Sequence, residues 1–203
     1  MTTNNPNDLL AHKRGLGKKT KRVLLTAIIA LLGAIGSQAG WFDTPQKVLQ
    51  QNQLGYYQVT RFDDGDTIEI NMNGSKEKIR FIGVDTPETH DPRKAVQCFG
   101  KAAAEFTKQL IGNSGVRLES DPLSSNRDRY KRLLRYVYLP EGKLVNLELI
   151  AQGYGFAYTG FPFTKSDEFV AAQSAARDNN LGLWKECKPA TNQYGGLTSN
   201  DAE

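Results

Sequence analysis

From Tyr56 onward, apolar and polar positions alternate in short stretches. Gln58-Val59-Thr60-Arg61-Phe62 reads as a first strand, and Thr67-Ile68-Glu69-Ile70-Asn71-Met72 keeps the two-residue period of a half-buried second one. Asn73-Gly74 follows, a dipeptide suited to a two-residue hairpin because both residues tolerate positive φ. Lys78 to Val84 returns as a third strand, and Val116–Glu119 and Leu133–Leu139 are two more. Elsewhere the period lengthens. Ala103, Phe106 and Leu110 give helical spacing over Gly100–Ile111, and Val145–Gln152 and Asp167–Asn179 are further helices, with Gly153 and Gly182 as stops. The pattern predicts an α+β domain over residues 56–188, a five-stranded β-barrel of the OB-fold kind with about three helices.

The chain before this domain has a different texture. Residues 1–22 form a basic leader with six cations, Lys13, Arg14, Lys18, Lys19, Lys21 and Arg22, and residues 23–36 are an unbroken apolar run that predicts a hydrophobic helix. Read through to Phe42, the stretch approaches the roughly 20 residues of a membrane span. Read to Gly36, it is the apolar region of a signal peptide, with small residues at Ser37-Gln38-Ala39 for cleavage. The cations stay on the cytoplasmic side, so either a signal peptide or a membrane anchor over 23–42 sends the rest of the chain out of the cytoplasm. The product is a secreted or periplasmic protein after cleavage, or one held at the membrane. Residues 43–55 are polar and read as a linker, and 189–203 as a flexible tail.

The net charge of +4 is misleading as a sign of polyanion binding. The leader alone carries +5, with Asp8 its one acid, so by subtraction the other 181 residues sum to about −1. Any electrostatic case must be local. The two cysteines, Cys98 and Cys187, are too far apart in sequence to resemble the close-spaced pairs of a metal site. In an exported protein a single disulfide is their natural reading, against two unpaired small hydrophobes.

Two acidic turns carry the candidate chemistry. Asp64-Gly65-Asp66-Thr67 opens the second strand, and Val84-Asp85-Thr86-Pro87-Glu88-Thr89 closes the third. The hairpin lays the start of one strand beside the end of the other, so Asp66 and Asp85 reach the same end of a ribbon. Clustered carboxylates without His or Cys suit a hard cation such as Ca²⁺ or Mg²⁺, whereas either turn alone is equally explained by the backbone preferences of Asp and Gly. Arg80 lies on the same strand, and residues 127–135 place five cations around Tyr130. Guanidinium groups suit the charge that develops on a phosphodiester under attack.

In order and spacing, Asp64-Gly65-Asp66-Thr67, Arg80, Val84-Asp85-Thr86-Pro87-Glu88-Thr89 and Asp128-Arg129-Tyr130-x-Arg132 resemble the signature of the staphylococcal (micrococcal) nuclease family. Val145-Asn146, Gln152-Gly153 and Gly182-Leu183-Trp184 match its later landmarks, and the resemblance runs over about residues 56–187. It implies a monomeric nuclease that hydrolyses DNA and RNA to 3′-phosphate products with one Ca²⁺ ion. Asp66, Asp85 and the Thr86 carbonyl look like the metal ligands, with Asp64 just behind them. Arg80 and Arg132 look like the phosphate-gripping pair, and Glu88 like the general base. Arg129, Tyr130, Lys131 and Tyr158 match the substrate side, with Phe161 and Phe163 as further stacking surface. His12 falls in the leader and His90 just past the acidic loop, neither in the position of the base.

The chain departs from the family where a glycine usually stands between the tyrosine and the second arginine. Lys131 occupies that position, and it would cost about 1 kcal/mol if the turn requires φ > 0. Arg135 is an added cation. A catalytically inactive OB-fold binding module is the alternative function. Such modules lose site residues, whereas Asp66, Arg80, Asp85, Glu88 and Arg132 are all present here.

Overall fold

Asn73 and Gly74 take φ of 54° and 89°, and the hairpin they form sets the register for the rest of the fold. It joins β2 (Thr67–Met72) to β3 (Ser75–Phe81), with Thr67 opposite Arg80 and Ile68 opposite Ile79. The computed structural model describes residues 55–89, 95–193 and 195–202. The leader, the hydrophobic segment 23–42, the linker up to residue 54, His12 and His90 lie outside the described residues. Among those described, no helix is long and apolar enough to cross a membrane.

β1 (Tyr56–Asp64), β2, β3, β6 (Leu133–Tyr138) and β5 (Val116–Glu119) close into a barrel in that spatial order. All neighbours are antiparallel except β3 and β6, which run parallel. Ile68, Ile70, Ile79, Phe81, Val116 and Val137 fill the interior and are almost wholly buried. Truncating any of the isoleucines to alanine costs about 2–5 kcal/mol in such a core.

Among the described residues, α1 (Gly100–Ile111), α2 (Val145–Ala151) and α3 (Ser166–Asp178) follow the sequence pattern closely, and a short α4 (Leu183–Glu186) that the pattern does not announce begins just after Gly182. The architecture is α+β, as expected. Asn146, fully buried on α2, accepts the Val137 N–H at 2.9 Å and donates to the carbonyls of Ile82 and Arg135 at 2.9 and 3.2 Å. Three satisfied bonds offset its desolvation and lock α2 to the β3–β6 seam.

Two expectations need correction. The third strand does not run unbroken to Val84. It stops at Phe81 and turns through Ile82-Gly83, where Gly83 has φ 72°. The chain then resumes as β4 (Val84–Asp85), paired with β7 (Phe156–Ala157) in a separate two-stranded sheet. The tail expected to be flexible instead forms β8 (Ala190–Thr191) and β9 (Leu197–Thr198), and Asp201 bridges to Gln97. Backbone pairing with residues distant in sequence supplies the order that its polar composition does not announce. Cys98 and Cys187 form a disulfide beside this contact, with Cα atoms 5.9 Å apart.

Candidate active site

Asp66 sits at the start of β2, 5% exposed, at the end of the barrel where β3 finishes. Gly65 before it must be glycine, because a Cβ there would lie 2.8 Å from Thr86 Cγ2 and 3.0 Å from Ala103 Cβ. The Gly65 carbonyl accepts from the buried Thr107 hydroxyl on α1 at 2.6 Å, which pins the turn from behind.

Asp66 Oδ2 accepts the backbone N–H and the hydroxyl of Thr86, and lies 3.2 Å from Arg80 Nη1. The same Nη1 donates to the Val84 carbonyl at 2.6 Å, while Nη2 donates to Asp85 Oδ1 at 2.7 Å. Burial works against the Arg80 charge, but Asp66 and Asp85 outweigh it and hold the guanidinium above its ordinary range. The break after β3 makes this possible. By turning away at Gly83 the chain carries Asp85 and Thr86 back over Arg80 and Asp66.

Arg132 joins the cluster through Thr67, whose hydroxyl donates to Asp66 Oδ1 at 3.0 Å and accepts from Arg132 Nη1 at 3.4 Å. Asp128 orients Arg132 by taking its Nε–H on Oδ2 at 2.7 Å, while Oδ1 takes the N–H groups of Tyr130 and Arg132. Asp64 is tied to the acidic loop by the Thr89 hydroxyl, and Glu88 accepts the Thr89 N–H at 2.9 Å. The acids and both guanidinium groups thus occupy one end of the barrel.

The residues expected on the substrate side divide. Tyr130 is 63% exposed, its ring flanked by Arg129 at 4.9 Å and Arg132 at 5.4 Å. Lys131 beside it has φ 67°, the left-handed conformation that a glycine would adopt freely. Tyr158 is placed by its N–H, which donates to the Gly83 carbonyl at 2.9 Å. Phe161 is open to solvent beside Tyr158, with ring centroids 6.1 Å apart. Phe163 is not a surface residue. It is 5% exposed and packs on Phe169, so its stacking role is withdrawn. Two of the clustered cations also point elsewhere, because Arg127 pairs with Glu77 and Arg135 bonds to Asn126.

Thr67 and Asp128 stand in the motifs read from the sequence without a role assigned to them, and the sequence reading does not single out Thr107 or Gln97 at all. Asp128 carried a signal in its four-residue spacing to Arg132, whereas Thr107 and Gln97 reach partners distant in sequence, Gly65 and Thr198. Among the described residues, no three His, Cys, Asp or Glu side chains converge as a metal site. The candidate donor set is instead two carboxylates, Asp66 and Asp85, and the Thr86 carbonyl. All three are oxygen donors, which suits a hard divalent cation.

Residues 78–186 match the family described as staphylococcal nuclease homologue. The chain is 42% identical over 130 residues to the thermonuclease of Staphylococcus intermedius, covering 64% of this chain and 76% of that one. It is 36% identical over 163 residues to the thermonuclease of Staphylococcus hyicus, covering 80% and 94%. Endonuclease YncB of Bacillus subtilis (strain 168) is 37% identical over 145 residues, covering 70% and 68%.

Proposed function

The chain belongs to the staphylococcal nuclease homologue family, and from that premise we propose that it is an exported, calcium-dependent nuclease. It hydrolyses phosphodiester bonds of DNA and RNA and leaves 3′-phosphate products. The observation that carries this reading is the bonded array of Asp66, Arg80, Asp85 and Thr86, with Arg132 attached through Thr67 at the same barrel end.

Asp66, Asp85 and the Thr86 carbonyl would hold the cation, which when bound neutralises phosphate charge and lowers the pKa of water. The remaining work falls to the side chains. Arg80 and Arg132 offer donors to the equatorial oxygens of the phosphate, where negative charge grows in the transition state. Asp128 keeps the Arg132 fork aligned and spares it reorganisation during the reaction. Glu88 accepts the proton of the attacking water. Tyr130, Tyr158 and Phe161 present faces on which bases stack without regard to sequence, and Arg129 and Lys131 add charge for the strand backbone. The Cys98–Cys187 disulfide supports export, because such bonds persist in oxidising compartments.

The test is digestion of single-stranded DNA and of RNA by the purified chain, with Ca²⁺ and then with chelator. Degradation of both that stops on chelation is expected. Retained binding without hydrolysis would make the protein an inactive OB-fold module instead.

A further inference from the structure

Glu88 lies on the segment between β4 and α1, and Gln97 bonds to its backbone at two points. Gln97 donates its N–H to the Glu88 carbonyl at 2.9 Å, and its side-chain Oε1 accepts the Glu88 N–H at 2.8 Å. On its other side the same amide donates through Nε2 to Thr198 Oγ1 at 3.0 Å. Both ends of the amide are engaged, so its oxygen is fixed toward Glu88. A flipped amide would oppose two N–H donors.

The tail continues this grip. Cys98 donates its N–H to the Asn200 carbonyl at 2.7 Å, and Ala202 donates to the Val96 carbonyl at 2.8 Å. Asn200 Oδ1 accepts the Lys188 N–H at 2.8 Å, so this one residue spans both sides of the disulfide. On the opposite side, α1 begins flush against the acidic loop. A Cβ on Gly100 would stand 2.7 Å from Thr89 Cγ2 and 3.0 Å from the carbonyls of Pro87 and Glu88.

We propose that Gln97 is a positioning residue for Glu88, and that the C-terminal segment 197–202 is a strap that holds Gln97 in register. The tail then contributes to turnover without touching the substrate. The inference rests on Glu88 acting as the general base described above. A base must lie within hydrogen-bond reach of its proton, and an error of about 1 Å in a catalytic group costs on the order of 10²-fold in rate.

The experiment measures kcat and KM of the full chain carrying Gln97→Ala or Thr198→Val, each alone and combined with Glu88→Ala. Gln97→Ala is expected to lower kcat about 10- to 100-fold with KM within about threefold, and Thr198→Val about 3- to 10-fold. Neither should lower kcat further once Glu88 is alanine, because two residues acting through one carboxylate are not additive. If Glu88→Ala leaves turnover intact, the general-base reading fails and takes the strap with it. If Glu88→Ala slows turnover while the other substitutions have no effect, or the same effect in both backgrounds, the base stands and the strap is overturned. Should Gln97→Ala not fold, Thr198→Val, which deletes one hydroxyl that accepts from Gln97 and donates to the Ser199 carbonyl, decides the matter.

Discussion

Asp66 and Thr86, 20 positions apart, meet on a single oxygen: Asp66 Oδ2 accepts both the backbone N–H and the hydroxyl of Thr86, at 2.7 and 2.9 Å. The two hydrogen bonds fix the carboxylate plane and tie the two acidic turns to each other. Thr86→Val keeps the N–H contact and the side-chain volume but loses the hydroxyl. It is expected to cost about 1 kcal/mol of stability. It should also raise the Ca²⁺ needed for half-maximal digestion about 10-fold, as loss of an orienting partner does at metal sites. Urea unfolding and a Ca²⁺ titration measure the two effects, and an unchanged titration would separate the Thr86 hydroxyl from the cation.

Arg132 and Asp128 call for paired substitutions. Arg132→Ala removes a guanidinium aimed at the phosphate and should lower turnover about 10³-fold or more, with the urea midpoint near that of the parent. Asp128→Asn keeps an oxygen for the N–H groups of Tyr130 and Arg132 but weakens the charged contact to Arg132 Nε. A loss of about 10-fold is expected, and it should vanish in the Arg132→Ala background. Single-turnover rates give both numbers. An Asp128 effect that persists without Arg132 would mean that Asp128 acts on something else.

Lys131 occupies a left-handed turn, φ 67°, held by its N–H to the Asp128 carbonyl and by Arg127 to its own carbonyl. A lysine in that conformation is strained, so Lys131→Gly should raise stability by about 0.5–1 kcal/mol after the extra freedom of the unfolded glycine is deducted. The lost cation should raise KM several-fold and flatten its salt dependence. A glycine variant that is less stable, or equally sensitive to salt, would refute the trade of strain for charge.

The sequence discloses the barrel because its strands carry their own signals: the alternation of Thr67 to Met72, and Asn73-Gly74 fixing which residues face each other. For the same reason it discloses part of the site, since the hairpin sets Asp66 beside Arg80, whereas Asp85 is carried in by the turn at Gly83. The break at Ile82-Gly83 was hidden because Ile82 and Val84 continue an apolar run that fits an unbroken strand equally well. Phe161 and Phe163 sit in a loop without a repeating period, and nothing in their spacing tells that one is exposed and the other packed on Phe169. The ordering of the tail was hidden more deeply. Its bonds run to Val96, Gln97 and Cys98, about a hundred positions away, and polar side chains such as Thr198 and Asn200 look the same whether they meet water or another segment.

Asp121 sets the acid limit of the fold. Its Oδ2 accepts the Tyr136 hydroxyl at 2.8 Å together with the N–H and hydroxyl of Thr164, and its Oδ1 accepts the Leu123 and Ser124 N–H groups. Burial alone would raise its pKa, but these donors outweigh it and hold the carboxyl at about 2, below its ordinary 3.8. Because the folded value is the lower one, the unfolded chain binds the proton first as the solution is acidified. The stabilisation is therefore fully present above about pH 4 and is lost as pH falls from there toward 2; it is on the order of 2 kcal/mol. Tyr136 works in the opposite direction, pushed up to about 12 from 10.0 mainly by burial, so its share is present below pH 10 and lost between about 10 and 12. Asp121→Asn should lower stability at pH 7 and flatten the decline below pH 4, as read by urea unfolding across the range. A variant that keeps the full acid slope would assign that slope to other carboxylates.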